Sequence, residues 1–190
     1  MAYWNKFKLI ISSGLIMTEY YFDIETTGRD PSVNKIITIQ WQKLSFGRGV
    51  GPVNILKEWE SSEKEILGEF LPKIHCDRQW DYVFVGDNLL FDFHFLDERL
   101  KHYGFEGMDL EHVKKRPFLN LKYTLILMND GQFTGYTDIL NQNAKYDNSE
   151  IPGLYENEEY DEIEGYIIEE AESFTDLFSK LKSTLPKMEL

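Results

Sequence analysis

Residues 20–28 read Tyr-Tyr-Phe-Asp-Ile-Glu-Thr-Thr-Gly. The aromatic and apolar run predicts a short buried strand, and the alternation of side chains along a strand puts Asp23 and Glu25 on one face near its end. Two carboxylates in that position repel each other and lose hydration, and a divalent cation between them relieves both costs. The alternative is a strand that simply ends in charged residues before a turn.

The three residues after the carboxylates, Thr26, Thr27 and Gly28, predict that turn. Glycine adopts positive φ at little steric cost. We therefore expect Gly28 to have a positive φ and to let a substrate approach the backbone closely.

The composition of the 190 residues, 42% hydrophobic and 15% aromatic, predicts one α/β domain with a full core and excludes a disordered protein. A single cysteine, Cys76, excludes an internal disulfide and a thiolate metal site, and it favours a cytoplasmic setting. The net charge of −13 argues against binding nucleic acid through a broad basic surface. Acidic residues concentrate in 147–172, whereas Lys114, Lys115, Arg116 and Lys122 are local basic groups.

The first 16 residues carry two lysines ahead of a short apolar run. That run is too short to span a bilayer, so we expect no membrane association. We expect residues 1–16 to be an N-terminal extension from a misplaced start site, with Met17 as the functional start and 17–190 as a single domain.

The pattern along the chain predicts alternating strands and helices without an internal repeat. The predicted strands are 20–24, 35–44, 53–59, 80–85 and 117–121, of which the first three form an antiparallel meander and the fourth is parallel. The predicted helices are 61–71, with a capping box of Ser61 or Ser62 with Glu65 and an end at Pro72, then 89–103, closed by Gly104, 122–129 and 160–185. Residues 131–148 are predicted to be loop and short helix. The fold class is therefore α/β, with a mixed sheet of about five strands flanked by helices.

A second informative stretch covers residues 84–96, where a strand leads to Gly86 and a helix follows. Asn88 is in position to cap this helix, and Asp92 falls in its first turn. A carboxylate between phenylalanines needs a partner if it is buried, and a metal shared with Asp23 provides one. The alternative is an exposed polar position on an amphipathic helix.

The third stretch is in the last helix, where Tyr166 and Glu170 are four residues apart and so lie on one helix face. That face is separate from the core stripe through Ile167 and Ala171. We expect the phenol and the carboxylate to project together into a cleft. The alternative is a solvated glutamate on an acidic helix.

Together the three stretches resemble the DEDD superfamily of 3′–5′ exonucleases, the DnaQ-like group on the ribonuclease H-like fold. The first family motif, Asp-x-Glu-Thr-x-Gly, matches residues 23–28, and the second, Gly-x-Asn-x-x-Phe-Asp, matches residues 86–92. The third motif has a histidine five residues, or a tyrosine four residues, before its last carboxylate. Gly165 and Tyr166 occupy those positions here, so the chain resembles the tyrosine branch and its ribonuclease D-like members.

The resemblance implies a 3′–5′ exonuclease that hydrolyses phosphodiester bonds at the 3′ ends of single-stranded DNA or RNA. It implies two divalent cations, Mg²⁺ or Mn²⁺, and a tyrosine, Tyr166, that orients the attacking water. The implied metal ligands are Asp23, Glu25, Asp92 and Glu170. The implied contacts to the terminal nucleotide are Thr26, Thr27, Asn88 and Phe91.

The sequence departs from the family pattern at two positions. Glu170 stands where the family has aspartate, and Asn120 stands where relatives often carry aspartate. With the net negative charge, these departures favour an alternative: a catalytically weakened member of the fold that binds nucleic acid or a protein partner without cleaving it. An acidic interaction module unrelated to nucleic acid is a third interpretation.

Overall fold

The computed structural model describes residues 17–74, 82–108, 117–128, 131 and 148–184. The predicted N-terminal extension, Cys76, the basic residues 114–116 and nearly all of the segment 131–148 lie outside the described residues.

Six strands form one mixed sheet. They are β1 (Thr18–Thr26), β2 (Ile36–Ser45), β3 (Arg48–Gly49), β4 (Asn54–Lys57), β5 (Tyr82–Gly86) and β6 (Phe118–Asn120). On one side of β1 the pairing is antiparallel, from β1 to β2 and from β2 to both β3 and β4. On the other side β5 pairs with β1, and β6 with β5, in parallel. The predicted α/β class, a meander joined to parallel strands, is confirmed.

Five α-helices are described, with a 3₁₀ turn at Glu58–Glu60. They are α1 (Glu63–Ile74), α2 (Leu89–His102), α3 (Leu121–Met128), α4 (Ile151–Glu156) and α5 (Tyr160–Thr184). Neither α4 nor the two-residue strand β3 was predicted from the sequence. None of the described helices combines the length and the apolar character needed to cross a membrane.

The ends of the first two helices test the predicted boundary signals. Ser62 opens α1, since its Oγ accepts the Glu65 N–H at 3.3 Å and donates to the Glu65 carboxylate at 2.9 Å. Pro72 does not end α1 as predicted. The helix continues to Ile74, because burial of the Ile74 side chain offsets the one hydrogen bond that proline lacks. Gly104, with φ of +75°, follows the end of α2 as predicted.

Alternate residues of β1 pack on opposite faces of the sheet. Phe22 lies in the core cluster formed with α1 and α2, and its ring stacks on that of Phe70 with 5.3 Å between the ring centroids. Tyr21 lies in the cluster formed with α5, and its ring contacts Phe174 at 4.9 Å. Because side chains alternate along a strand, Asp23 follows Tyr21 onto the face that α5 covers.

Candidate metal centre

Three carboxylates meet at the carboxyl end of β1. Each of Asp23, Glu25 and Glu170 offers one oxygen, and these oxygens lie within 4.8 Å of one another. Glu25 is buried, and Asp23 and Glu170 are half-buried. The structure thus brings together residues from β1 and α5 that are almost 150 positions apart in the chain.

The fourth predicted ligand, Asp92, lies in the first turn of α2 with 4% of its surface exposed. Burial, followed by the charges of Asp23 and Asp87, raises its pKa. Asp92 is thus buried and influenced by the charge of Asp23, although it is not in the group whose oxygens lie within 4.8 Å of one another. The alternative interpretation, an exposed position on an amphipathic helix, is wrong.

The electrostatics of the cluster oppose ionisation. Burial, with a contribution from the charge of Asp87, raises the pKa of Asp23 to about 7 against the hydrogen bonds from the Ile24 backbone and the Tyr21 hydroxyl. Burial and the neighbouring carboxylates also raise the pKa of Glu25 and of Glu170. Within the described parts of the chain, no lysine, arginine or histidine forms an ion pair with any of the four predicted ligands. A cluster of oxygen ligands without a counter-charge from the described residues fits a hard divalent cation.

Gln40 of β2 supports the cluster, and the sequence analysis missed it. Gln40 pairs in register with Asp23, and its Nε2 donates to Asp23 Oδ2 at 3.5 Å and to Glu25 Oε1 at 3.4 Å. The Thr38 hydroxyl donates to Gln40 Oε1 at 2.9 Å and so fixes the orientation of the amide. Both side chains are fully buried. The available signal was the pair of polar residues at alternate positions among the isoleucines in the first half of β2.

Tyr166 lies beside the cluster, but its ring is not in a cleft as predicted. The residue is 3% exposed, and its ring packs in the core cluster with Ile37 and Ile163, because Tyr166 and Ile167 both face the sheet. The hydroxyl lies near Glu170 without reaching hydrogen-bond geometry and has no hydrogen-bond partner among the residues that the structure describes. Burial, followed by the charges of Glu170 and Glu25, raises its pKa far above the ordinary value, so it is a neutral phenol at pH 7.

The turn after the carboxylates is organised by its own hydrogen bonds. The Thr26 hydroxyl donates to the Gly28 carbonyl at 2.7 Å, and the Thr27 hydroxyl accepts from the Lys35 N–H at 3.1 Å. Gly28 does not have the predicted positive φ. A Cβ at this position would lie 2.5 Å from Asn34 Oδ1, so glycine is needed here to make room for the Asn34 side chain.

The two predicted substrate contacts near α2 have different surroundings. Asn88 occupies the N-cap position, but with ψ of 45° its side chain makes no capping hydrogen bond, so the predicted cap is wrong. The half-buried Phe91 packs its ring against Phe95 at 5.6 Å. Contacts of either residue with a nucleotide remain a prediction.

No family model matches the sequence, and no curated protein matches it. The structure is similar to solved structures of exonuclease I. An apo form is 10% identical over 60% of this chain, with a TM-score of 0.47. The enzyme from Methylocaldum szegediense is 14% identical over 67%, with a TM-score of 0.47. The E. coli enzyme in complex with a dA16 oligonucleotide is 12% identical over 67%, with a TM-score of 0.46. The chain spans 31% of the length of each of these three proteins, and similarity of this degree does not assign it to a family.

Proposed function

We propose that this chain is a metal-dependent 3′–5′ exonuclease of the DEDD superfamily, tyrosine branch, that acts on the 3′ ends of single-stranded DNA or RNA. The observation that carries the proposal is the approach of Asp23, Glu25 and Glu170 oxygens to within 4.8 Å of one another. These are three of the four residues to which the motif resemblance gives a metal-binding role. The sheet, antiparallel on one side of β1 and parallel on the other, agrees with the ribonuclease H-like fold that the resemblance implies.

In this proposal four carboxylates hold two divalent cations, Mg²⁺ or Mn²⁺. These ligands are Asp23, Glu25, Asp92 and Glu170. Such ions, when bound, lower the pKa of a water and neutralise charge on the leaving oxygen. Gln40 holds the first two carboxylates through its amide, which limits their freedom to turn away from each other.

Tyr166 has a positioning role toward the attacking water in this proposal. Its hydroxyl is buried beside Glu170 and has no hydrogen-bond partner, so it is available to a water molecule at the cluster. The raised pKa keeps the phenol protonated at neutral pH. Tyr166 therefore orients the water through a hydrogen bond and does not remove its proton.

The substrate side of the proposal uses residues around the cluster. Asn88, whose amide is not used as a helix cap, and Phe91, through its ring, would contact the terminal nucleotide, with Thr26 and Thr27 nearby. The net charge of −13 is a barrier to a polyanion, and bound cations reverse the sign of the local field.

Binding without cleavage is the second candidate. Glu170 in place of aspartate favours it, because Mg²⁺ requires near-ideal octahedral geometry at about 2.0–2.1 Å and the longer side chain shifts the ligand oxygens.

The test is incubation with 3′-labelled single-stranded DNA and RNA in the presence of Mn²⁺ or Mg²⁺. Asp23→Asn removes a central ligand, and Asp176→Asn makes the same change at an exposed position on α5. Release of mononucleotides that is lost in Asp23→Asn and kept in Asp176→Asn supports the exonuclease. Binding without release supports the second candidate, and the absence of both contradicts each of them.

A further inference from the structure

Asp87 is a carboxylate beside the cluster that lies outside the four residues to which the resemblance gives a metal-binding role. It directly follows β5, which runs parallel to β1, so the carboxyl ends of both strands meet at one edge of the sheet. Its Oδ1 is buried. In the parallel pairing Val85 lies opposite Tyr21, and both side chains pack in the cluster formed with α5. Asp87 and Asp23 each come two residues later, so we expect their carboxylates on that same face. The charge of Asp87 also raises the pKa of Asp23, Asp92 and Glu170, although Asp87 is not in the group whose oxygens lie within 4.8 Å of one another.

The neighbouring end of β6 holds Asp87 in place. The Lys122 N–H donates both to the Asp87 carbonyl, at 3.3 Å, and to Asn120 Oδ1, at 3.2 Å. Asn120 also pairs in register with Gly86, the residue before Asp87. The turn that carries Asp87 is therefore tied to the end of the adjacent parallel strand.

Asn120 supplies an independent indication that a ligand binds at this edge. The residue is 8% exposed, and its Nδ2 has no hydrogen-bond partner among the described residues. The Tyr166 hydroxyl is also buried without a hydrogen-bond partner in the described parts of the chain. Buried donors left unpaired are costly, so each calls for an acceptor such as a metal-bound water or a phosphate oxygen.

We propose that Asp87 is a fifth carboxylate of the metal centre, directed toward one of the two cations, and that Asn120 donates a hydrogen bond to a water or phosphate oxygen held there. This inference rests on the proposed function, because it deepens the same site. Four carboxylates balance two divalent cations, and a fifth adds one negative charge. The extra negative charge strengthens the binding of cations and weakens the binding of a phosphate. It therefore raises the affinity for metal and lowers the affinity for substrate.

The test is a calorimetric titration of the metal-free protein with Mn²⁺. Asp87→Asn keeps the shape of the side chain and is expected to weaken at least one Mn²⁺ site by roughly 10- to 100-fold, the range typical of groups that support metal ligands. Asp87→Glu, which keeps the charge, is expected to retain more affinity than Asp87→Asn. Glu169→Gln removes a charge from an exposed position on α5 and is expected to leave the isotherm unchanged.

The outcomes separate this inference from the proposed function. Equal Mn²⁺ affinity of the wild type and Asp87→Asn overturns the role of Asp87 and leaves the exonuclease proposal standing. A wild-type protein that binds no Mn²⁺ overturns both. Thermal unfolding of metal-free Asp87→Asn verifies that the variant is folded.

Discussion

The buried carboxylate of Glu63 and the carboxylate cluster of the candidate metal centre have opposite surroundings. Glu63 at the start of α1 is 2% exposed and accepts four hydrogen bonds, from Arg99 Nε (2.8 Å) and Nη2 (2.7 Å), from the Tyr103 hydroxyl (2.9 Å) and from the Ile36 N–H (2.7 Å). Glu25 is also 2% exposed, but its described hydrogen bond comes from the neutral Gln40, and its nearest charges are other carboxylates. The Glu63 network carries its own cation, whereas the candidate metal centre has no cationic side chain paired with it among the described residues.

The Glu63 network also supports the metal centre from a distance. It joins α1, α2 and the start of β2, and Arg99 Nη1 donates to the Pro31 carbonyl at 3.1 Å. Pro31 lies in the loop that follows Gly28, so the network fixes one end of the turn after the metal ligands. A complete set of donors makes a buried carboxylate part of the framework. An incomplete set, surrounded by like charges, is what we expect of a place where a ligand binds.

The largest expected effect on stability comes from removing Arg99, the cation that pairs with Glu63. Arg99→Met leaves Glu63 buried without its counter-charge, and we expect the free energy of unfolding to fall by roughly 3–5 kcal/mol. Urea denaturation of the metal-free protein measures this. Arg48→Met, at an exposed position on β3, is the control and is expected to change stability by less than about 0.5 kcal/mol. A loss below about 1 kcal/mol in Arg99→Met would contradict the distinction drawn between the two groups.

The cluster of Asp23, Glu25 and Glu170 predicts that stability depends on pH in an unusual way. The pKa of Asp23 is raised from 3.8 to about 7, so the folded metal-free protein holds a proton that the unfolded chain has lost. Stability is therefore greatest below about pH 4 for this group and declines as the pH rises to about 7. The rise in the pKa of Asp23 from 3.8 to about 7 corresponds to roughly 4 kcal/mol at most. Because Asp23 is half-buried, we expect the free energy of unfolding to change by roughly 2–4 kcal/mol.

The dependence of stability on pH is tested with the variant Asp23→Asn as a control and with the addition of Mn²⁺. Asp23→Asn cannot ionise, and its unfolding free energy is expected to vary less between pH 4 and pH 7. Addition of Mn²⁺ at pH 7.5 is expected to stabilise the wild type, by about 2.7 kcal/mol at one hundred times the dissociation constant, and to stabilise Asp23→Asn much less. A metal-free wild type that becomes more stable across this pH range would show that the cluster already has a counter-charge.

Tyr166→Phe separates the role of the hydroxyl from that of the ring. The ring packs in the core and is kept, whereas the hydroxyl has no partner, so we expect unchanged or slightly higher stability. If the hydroxyl orients the attacking water, turnover falls by about 100-fold, or about 2.7 kcal/mol, with little change in Mn²⁺ affinity. Turnover and Mn²⁺ titration are measured on the same preparation. Loss of Mn²⁺ binding in this variant would contradict the assigned role.

Local patterns in the sequence were sufficient for most of the fold. The alternation in residues 20–25 predicted β1 and the shared face of Asp23 and Glu25, and the Ser62–Glu65 pair predicted the start of α1. Failures occurred where tertiary packing decides the outcome. Burial of Ile74 extends α1 past Pro72, and the packing of the Asn34 side chain determines the conformation around Gly28.

The contacts that were missed depend on which distant segments of the chain pair in the fold. Gln40 acts on Asp23 only because β2 pairs with β1 in one register, and a shift by one residue would turn its amide to the other face. Asp87 follows β5, whose residues pair in parallel with β1 residues 64 positions earlier in the chain. Arg99 reaches Glu63 across two helices. Such contacts depend on the topology of the sheet, which a single sequence does not specify.

The smallest expected effect sharpens the comparison within the metal centre itself. Glu170 places an oxygen near those of Asp23 and Glu25, but its side chain is one methylene longer than the family aspartate. Because Mg²⁺ tolerates little departure from octahedral geometry, we expect Glu170→Asp to raise Mg²⁺-dependent turnover several-fold, about 1 kcal/mol, and to raise Mn²⁺-dependent turnover less. Glu169→Asp makes the same change at the adjacent exposed position and is expected to have no effect. An unchanged or lower rate with Mg²⁺ in Glu170→Asp would argue against Glu170 as a ligand, and the raised pKa of its carboxyl group would then reflect burial and the charges of Asp23 and Asp87.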